Sequence, residues 1–124
     1  MTAILELRDV RAGYGALDVL HGVSIAVQPG QVHALLGPNG AGKSTTLGVC
    51  SGQIVPSGGQ LLLNGREVNG AGSDALARAG VCLIPEGRGV FPNLTVAENL
   101  RMFTYARTAL ADVQERAFAQ FPRL

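Results

Sequence analysis

The sequence predicts an α/β fold, and three observations support this class. Short apolar runs at residues 32–36 and 81–84 have the length and continuity of buried parallel strands. Two segments open on a residue that can cap a helix and carry glutamate three positions later, first Thr95 with Glu98 and then Asp112 with Glu115. The pair Asn64-Gly65 lies between two short runs and is a strong hairpin signal.

The first half of the chain is mostly strand in pattern. Imperfect alternation over residues 4–9 predicts an edge strand, followed by a loop at 10–15 and a second strand that ends at 27 before the turn Gln28-Pro29-Gly30. After the apolar run at 32–36, a helix is expected over 43–51, with Gly52 as its stop. Residues 60–63 and 66–68 flank the hairpin turn.

The second half is mainly helical in pattern. A short helix is expected at 73–78, before the strand at 81–84 and a loop at 85–94. Two capped helices follow, and Pro122 ends the second. Their predicted apolar faces consist of Val96, Leu100 and Phe103 in the first helix and Val113, Ala117 and Phe121 in the second.

Composition and charge exclude several classes of protein. The 124 residues amount to one domain at most, and a net charge of +1 without a basic stripe gives no support for nucleic-acid binding. No apolar run approaches the length of a membrane span, and the N-terminus lacks the pattern of a signal peptide, so we expect a cytosolic protein. Cys50 and Cys82 are expected to be buried free thiols, and His33 a buried or half-buried histidine without a catalytic role.

The most informative segment follows the apolar run at 32–36. Gly37 to Thr45 satisfies G-x-x-x-x-G-K-[ST], a phosphate-binding loop, and Lys43 is the only lysine of the chain. Glycines let the backbone curl around a polyphosphate, and successive N–H groups then form an anion-binding nest at the positive end of a helix. The predicted phosphate ligands are Gly37, Asn39, Gly40, Ala41, Gly42, Lys43, Ser44 and Thr45. Lys43 would reach the β and γ phosphates, and Ser44 would bind Mg²⁺.

The flanking residues resemble a particular family. The loop is similar to the Walker A form of ABC-type ATPases, and Ser57-Gly58-Gly59 before Asn64-Gly65 is similar to the segment that follows it. The resemblance implies a P-loop NTPase fold, with an antiparallel β subdomain in residues 1–94 and the start of a helical subdomain in 95–124. It also implies that Tyr14 stacks on the adenine of ATP and that Val19 is its apolar neighbour.

Four segments resemble the corresponding segments of the ATP-binding subunits of branched-chain amino-acid importers. They are residues 84–88, 90–92, 94–100 and 121–124. Importers of urea or short amides share part of this pattern. At the position where the wider family carries a glutamine that reaches Mg²⁺ and the attacking water, this chain has Glu86. The resemblance makes Glu86 a candidate catalytic and metal-binding residue. It also implies that Arg88 and Phe91 line a groove for a short helix of a transmembrane permease subunit.

Several motifs that the resemblance leads us to expect for ATP hydrolysis do not occur in this sequence. The family's Asp-Glu strand end, switch histidine and signature motif are absent, so we expect the chain to be the N-terminal half of a longer subunit that pairs head to tail with a second one on the inner face of the membrane. Strands of the other half would lie between 32–36 and 81–84, and a gap is expected there. Two alternatives stay open: a non-catalytic nucleotide-binding or interaction module, and an ABC-type ATPase without a membrane partner.

Overall fold

The computed structural model describes residues 2–87, 89–102, 104 and 108–124. The chain separates into two compact units, Met1–Leu83 and Ile84–Leu124. The described strands are β1 (Leu5–Tyr14), β2 (Leu17–Val27), β3 (Gly58–Leu63) and β4 (Arg66–Glu67), and the helices are α1 (Lys43–Cys50), α2 (Gly72–Arg78), α3 (Val96–Arg101) and α4 (Leu110–Gln120).

The first unit is built on a four-stranded antiparallel sheet with the order β2-β1-β3-β4. The antiparallel β subdomain predicted from the sequence is therefore confirmed. The prediction that the first strand lies at an edge and ends near residue 9 is wrong, because β1 runs to Tyr14 and pairs on both sides. Its imperfect alternation comes from a bulge at Asp9, which has φ +47° and interrupts the register with both neighbours.

One tight turn and one close backbone approach shape this sheet. The β3–β4 hairpin turns through Asn64 and Gly65, both at positive φ, which confirms the hairpin prediction. Gly59 lies against the bulge, where an added Cβ would come within 2.4 Å of the carbonyl oxygens of Arg8 and Asp9. Only glycine fits this position without displacing β1.

The core lies between the sheet and helix α1. Alternate side chains of β1 form its centre, and α1 covers them through a single fully buried valine. Burial of these aliphatic side chains supplies most of the stabilisation that fixes α1 against the sheet. The buried cluster consists of Leu7, Val10, Ala12, Leu20, Val49, Leu61 and Leu76.

The two segments predicted as buried parallel strands do not pair in the described sheet. Residues 32–36 and 81–84 are assigned to no strand, and Val32 and Ile84 are 99% and 85% exposed. A strand forms only where a neighbour accepts and donates its ladder hydrogen bonds, and the described strands pair among themselves. An apolar cavity of about 380 Å³ is lined by residues 33–35 and 81–83 together with Leu5, Val27 and Cys50, in the place where the sequence analysis expects a gap.

Exposure in this region also overturns two smaller predictions. His33 is exposed, outside any described strand, and its Nε2 lies 3.2 Å from the side-chain oxygen of Gln31. Cys82 is exposed too, whereas Cys50 is half-buried as part of α1. Both errors have the same cause, because the sequence pattern predicts a buried strand around each residue and neither strand forms in the described sheet.

The second unit contains α3 and α4, which pack on each other. Thr95 and Glu98 form the predicted capping box, with Thr95 Oγ1 accepting from the Glu98 N–H at 3.1 Å and Glu98 Oε2 accepting from the Thr95 N–H at 2.8 Å. The second predicted capping box is wrong, because α4 begins at Leu110, two residues before Asp112, with no side-chain cap. None of the described residues of α3 is buried, so its predicted apolar face is not core here; Phe103 lies outside the described residues.

Candidate functional site

The glycine-rich segment forms a loop that leads directly into helix α1. Gly42 occupies the N-cap position with φ +98°, and Gly40 has φ +85°. Both values lie in the left-handed region that favours glycine. A Cβ on Gly42 would come within 2.7 Å of Leu20 Cδ2 in strand β2, so a larger residue here would have to displace the end of the Leu20 side chain as well as adopt a left-handed backbone.

Lys43 is the first residue of α1, and its side chain folds back over the loop. Its Nζ donates to the carbonyl oxygens of Gly37 and Pro38, the latter at 2.8 Å. The ammonium group is therefore held at the mouth of the loop by two neutral acceptors. A phosphate oxygen would be a stronger partner for the ammonium group than a neutral carbonyl, because it carries negative charge and adds Coulomb attraction to the hydrogen bond.

The loop and the first helical turn present a cationic, hydrogen-bond-donating surface. Pro38 to Ala41 and Ser44 are exposed, and no acidic residue occupies the first turn of α1. The first N–H groups of a helix have no carbonyl within the helix to bond to, and its N-terminus carries partial positive charge. Lys43 and the Ser44 hydroxyl lie at that same end. The donor set fits a polyphosphate with a bound Mg²⁺, for which a hydroxyl is a suitable oxygen ligand.

Two of the predicted ligands differ in detail from the expectation. The Ala41 N–H, predicted to face phosphate, donates to the Pro38 carbonyl at 3.1 Å. Thr45 is only 4% exposed, so its side chain is enclosed in the protein. The buried Thr46, which the sequence analysis did not select, ties the loop to α1: its N–H and its hydroxyl both donate to the Gly42 carbonyl at 2.8 Å.

Tyr14 and Val19 belong to the hairpin that borders the loop. Tyr14 closes the β1–β2 turn opposite Leu17 and is 59% exposed, which leaves its ring free to stack on a planar ligand. Val19 packs against the core, and its Cγ1 is 3.6 Å from the position of a Cβ on Gly42. The structure thus brings Val19 next to Gly42, and its role beside Tyr14 at adenine, which the resemblance implies, stays a prediction.

The remaining predicted site residues lie in the second unit. Glu86 is in an exposed loop, and Phe91 is 53% exposed. Arg88, predicted to share the groove wall with Phe91, lies outside the described residues. A second apolar cavity of about 380 Å³ occurs in this unit, and we call it the groove. It is lined by Val90, Phe91, Pro92, Leu94, Val96, Leu100, Met102 and Leu124, with Gly89 and Asn99.

Sequence reasoning missed one further residue of this groove, Asn99. Its carboxamide bonds to the backbone of Phe91, Leu94 and Thr95. A signal was present in the sequence, because asparagine is a poor helix former and competes with the backbone for hydrogen bonds. An asparagine in the first turns of a well-capped helix therefore indicates a side chain with a specific partner.

Burial and hydrogen bonding shift the pKa values of side chains in the first unit. Burial raises the pKa of the Cys50 thiol to about 11. A hydrogen bond from Arg8 lowers the pKa of Glu6, and the two side chains are 2.8 Å apart. Neither residue belongs to the glycine loop. No helix in the described part of the chain has the length and hydropathy needed to cross a bilayer.

Comparison with known proteins adds independent information. The family model described as "ABC transporter" matches residues 20–123. The chain is 42% identical over 127 aligned residues to a Nod factor export ATP-binding protein I of Cupriavidus metallidurans, covering 100% of this chain and 41% of that protein. It is 43% identical over 97 residues to a ribose import ATP-binding protein of Geobacillus kaustophilus, covering 78% of this chain and 20% of that protein.

Solved structures of ATP-binding proteins are also similar to this chain. An ATP-binding subunit of an ABC transporter has a TM-score of 0.72 at 37% identity, over 83% of this chain and 42% of that one. An ATP-binding cassette of an ABC transporter has a TM-score of 0.75 at 25% identity, over 94% and 46% of the two chains. The chain therefore spans less than half the length of these relatives.

Proposed function

The chain belongs to the ABC transporter family of ATP-binding proteins, and we propose that it is the part of a transporter's energy-coupling subunit that holds the phosphates of ATP. The observation that carries the proposal is the arrangement at the start of α1. Lys43 and the exposed Ser44 lie together at the positive end of a helix whose first turn has no acidic residue. That arrangement suits a polyanion and disfavours a cationic or apolar ligand.

Each residue of the site has a definite role in this proposal. Lys43 exchanges the carbonyls of Gly37 and Pro38 for β- and γ-phosphate oxygens, and the helix N–H groups donate to the same phosphates. Mg²⁺ bound to the Ser44 hydroxyl would neutralise phosphate charge when ATP is held. The exposed ring of Tyr14 stacks on adenine, beside Val19. Glu86 is the candidate for orienting water or contacting the metal, as the family resemblance implies.

Turnover is proposed for the whole subunit. Holding the phosphates in place supplies positioning and charge stabilisation, which are the main protein contributions to phosphoryl transfer. A general base and a second, head-to-tail subunit would complete the hydrolytic site. Closure and reopening of that pair would drive a permease on the inner face of the membrane, and the apolar groove around Phe91 is the proposed contact for a short permease helix.

The transported solute is a separate proposal. The segments at 84–100 and 121–124 favour an amino-acid importer, as the sequence analysis predicts. The names of the relatives refer instead to ribose import and Nod factor export, and they lend no support to an amino-acid solute. Uptake of labelled leucine and of labelled ribose, compared in cells with and without the gene, distinguishes these classes. Loss of leucine uptake alone would support the amino-acid proposal.

The proposed function is tested with the full-length subunit and its membrane subunits in proteoliposomes. Lys43→Ala should abolish ATP turnover and ATP-driven transport, because no other residue of the loop carries a positive charge. Arg66→Ala is the matched control, since it removes one positive charge from an exposed residue of strand β4. Unchanged turnover in the Lys43→Ala variant would refute the assignment. ATP binding without turnover by the wild-type subunit would favour the non-catalytic alternative.

A further inference from the structure

The carboxamide of Asn99 makes four hydrogen bonds to the loop that precedes its own helix. Its Oδ1 accepts from the Phe91 N–H at 2.9 Å, and its Nδ2 lies within hydrogen-bonding distance of three carbonyl oxygens. These belong to Phe91 at 3.1 Å, Leu94 at 3.2 Å and Thr95 at 2.9 Å. A carboxamide nitrogen has two N–H donors, so the three carbonyl oxygens share them, and both polar ends of the side chain are bound to backbone groups.

The pattern at Phe91 resembles strand pairing. One side chain both accepts from the N–H and donates to the C=O of the same residue, as the backbone of a neighbouring strand does. The Phe91 carbonyl also accepts from the Leu94 N–H at 3.1 Å, which closes a turn. The Thr95–Glu98 capping box fixes the start of α3 directly after that turn. Loop and helix are thus joined at Phe91, Leu94 and Thr95 through one side chain.

The hydrogen bonds of Asn99 hold the backbone of Phe91, whose own side chain is exposed. The Phe91 side chain is 53% exposed and lines the apolar groove together with Val90, Leu94, Val96 and Leu100. An exposed aromatic side chain gains binding affinity when its backbone is already fixed, because less conformational entropy is lost on association. A loop residue without such a tether would have to be ordered at the moment of binding.

We propose that Asn99 is a positioning residue for transport coupling: it fixes the backbone of Phe91 so that the groove is preformed for the permease helix. The inference rests on the proposed function, and it deepens the part that concerns the membrane partner. Asn99 has no proposed role in ATP binding, so its loss should weaken the response to the permease without weakening the basal ATPase of the subunit.

Two substitutions separate the hydrogen bonds from the volume of the side chain. Asn99→Ala removes all four bonds. Asn99→Asp has nearly the same size and retains the acceptor for the Phe91 N–H, but it places a carboxylate oxygen against three carbonyl oxygens. Both should release the loop, and the Asp variant carries the test should the Ala variant fail to fold. Asn93→Ala is the matched control, an exposed asparagine of the same loop.

The experiment uses the full-length subunit, alone and assembled with its membrane subunits. Hydrogen exchange at the Phe91 amide should be faster by roughly fivefold or more in Asn99→Ala, the factor that corresponds to one net hydrogen bond. Exchange should also be faster than wild type in Asn99→Asp, because the carboxylate repels the carbonyl oxygens that hold the loop. Permease-stimulated ATPase activity should fall by a similar factor while basal activity and exchange in α4 stay at wild-type values. Asn93→Ala should change none of these readouts.

Three outcomes would overturn the proposal. Unchanged exchange at Phe91 in both Asn99 variants would mean that the carboxamide does not hold the loop. A second outcome is faster exchange at Phe91 with unchanged permease-stimulated ATPase activity in the Asn99 variants, while Phe91→Ala lowers that activity. It would mean that the groove contacts the permease but that Asn99 has no part in coupling. Unchanged stimulation in the Phe91→Ala variant as well would exclude the groove as the permease contact, while the Lys43→Ala result would still test ATP binding independently.

Discussion

Substitution of Gly42 by alanine tests the geometry of the glycine loop most severely. Gly42 combines a left-handed backbone with close approach to the core, since its added Cβ would lie 2.7 Å from Leu20 Cδ2 and 3.6 Å from Val19 Cγ1. Leu20 is only 2% exposed, so it has little room to move away. The alanine variant must therefore shift either the loop or a buried leucine.

The two effects have separate magnitudes. A left-handed conformation costs a residue with a Cβ about 1–2 kcal/mol. Overpacking by one carbon in a closely packed core costs about 1–3 kcal/mol more. Gly30→Ala is the control for the first effect alone, because Gly30 has φ +73° and an added Cβ would meet no atom within 4 Å. Gly42→Ala should therefore destabilise the protein more than Gly30→Ala does, by about 1–3 kcal/mol.

Urea unfolding of the full-length subunit, followed by circular dichroism, measures this difference, and calorimetry with Mg-ATP measures binding. Gly42→Ala should lower ATP affinity, whereas Gly30→Ala should leave it unchanged. Adding Leu20→Val, which shortens the opposing side chain, should recover part of the stability lost by Gly42→Ala in a double-mutant cycle. Equal destabilisation by Gly42→Ala and Gly30→Ala would refute the argument that the loop is seated on Leu20.

Three further predictions concern other parts of the chain. Thr95→Ala should destabilise α3 by about 1 kcal/mol and speed hydrogen exchange at Glu98, because the capping box is lost; equal exchange rates would contradict this. Iodoacetamide at pH 8 should alkylate the exposed Cys82 well before Cys50, since burial raises the pKa of Cys50 to about 11 and leaves only ~0.1% as thiolate; mass spectrometry of the labelled peptides gives the order. Gly59→Ala should lower the urea midpoint more than Gly30→Ala, since its Cβ would strike two carbonyl oxygens of strand β1.

Features with a local physical cause could be predicted from the sequence. The glycine loop before a helix, the Asn64-Gly65 turn and the Thr95 capping box each depend on a few neighbouring residues, and each occurs where the pattern predicts it. Phosphate binding by that loop stays a prediction. Their signals are strong because glycine conformations and helix caps are determined within three or four residues.

Features that depend on distant partners were less predictable. The sequence of β1 does not reveal that β2 and β3 pair with it, one on each side. The bulge at Asp9 interrupts its alternation, so the pattern predicts a short edge strand where the structure has a strand of ten residues. Residues 32–36 have the composition of a buried strand, yet a strand exists only with a ladder partner. The contact between Gly42 and Leu20 and the bonds of Asn99 likewise depend on tertiary structure.

The loop from Gly37 to Thr45 is proposed to bind the phosphates of ATP through Lys43. Calorimetric titration of the full-length subunit with Mg-ATP and with AMP, for wild type and for Lys43→Ala, tests it directly. We predict that wild type binds Mg-ATP more tightly than AMP and that Lys43→Ala weakens Mg-ATP binding on the order of tenfold or more, as expected for the loss of a charge-assisted hydrogen bond. Equal affinity of the two proteins for Mg-ATP would contradict the account.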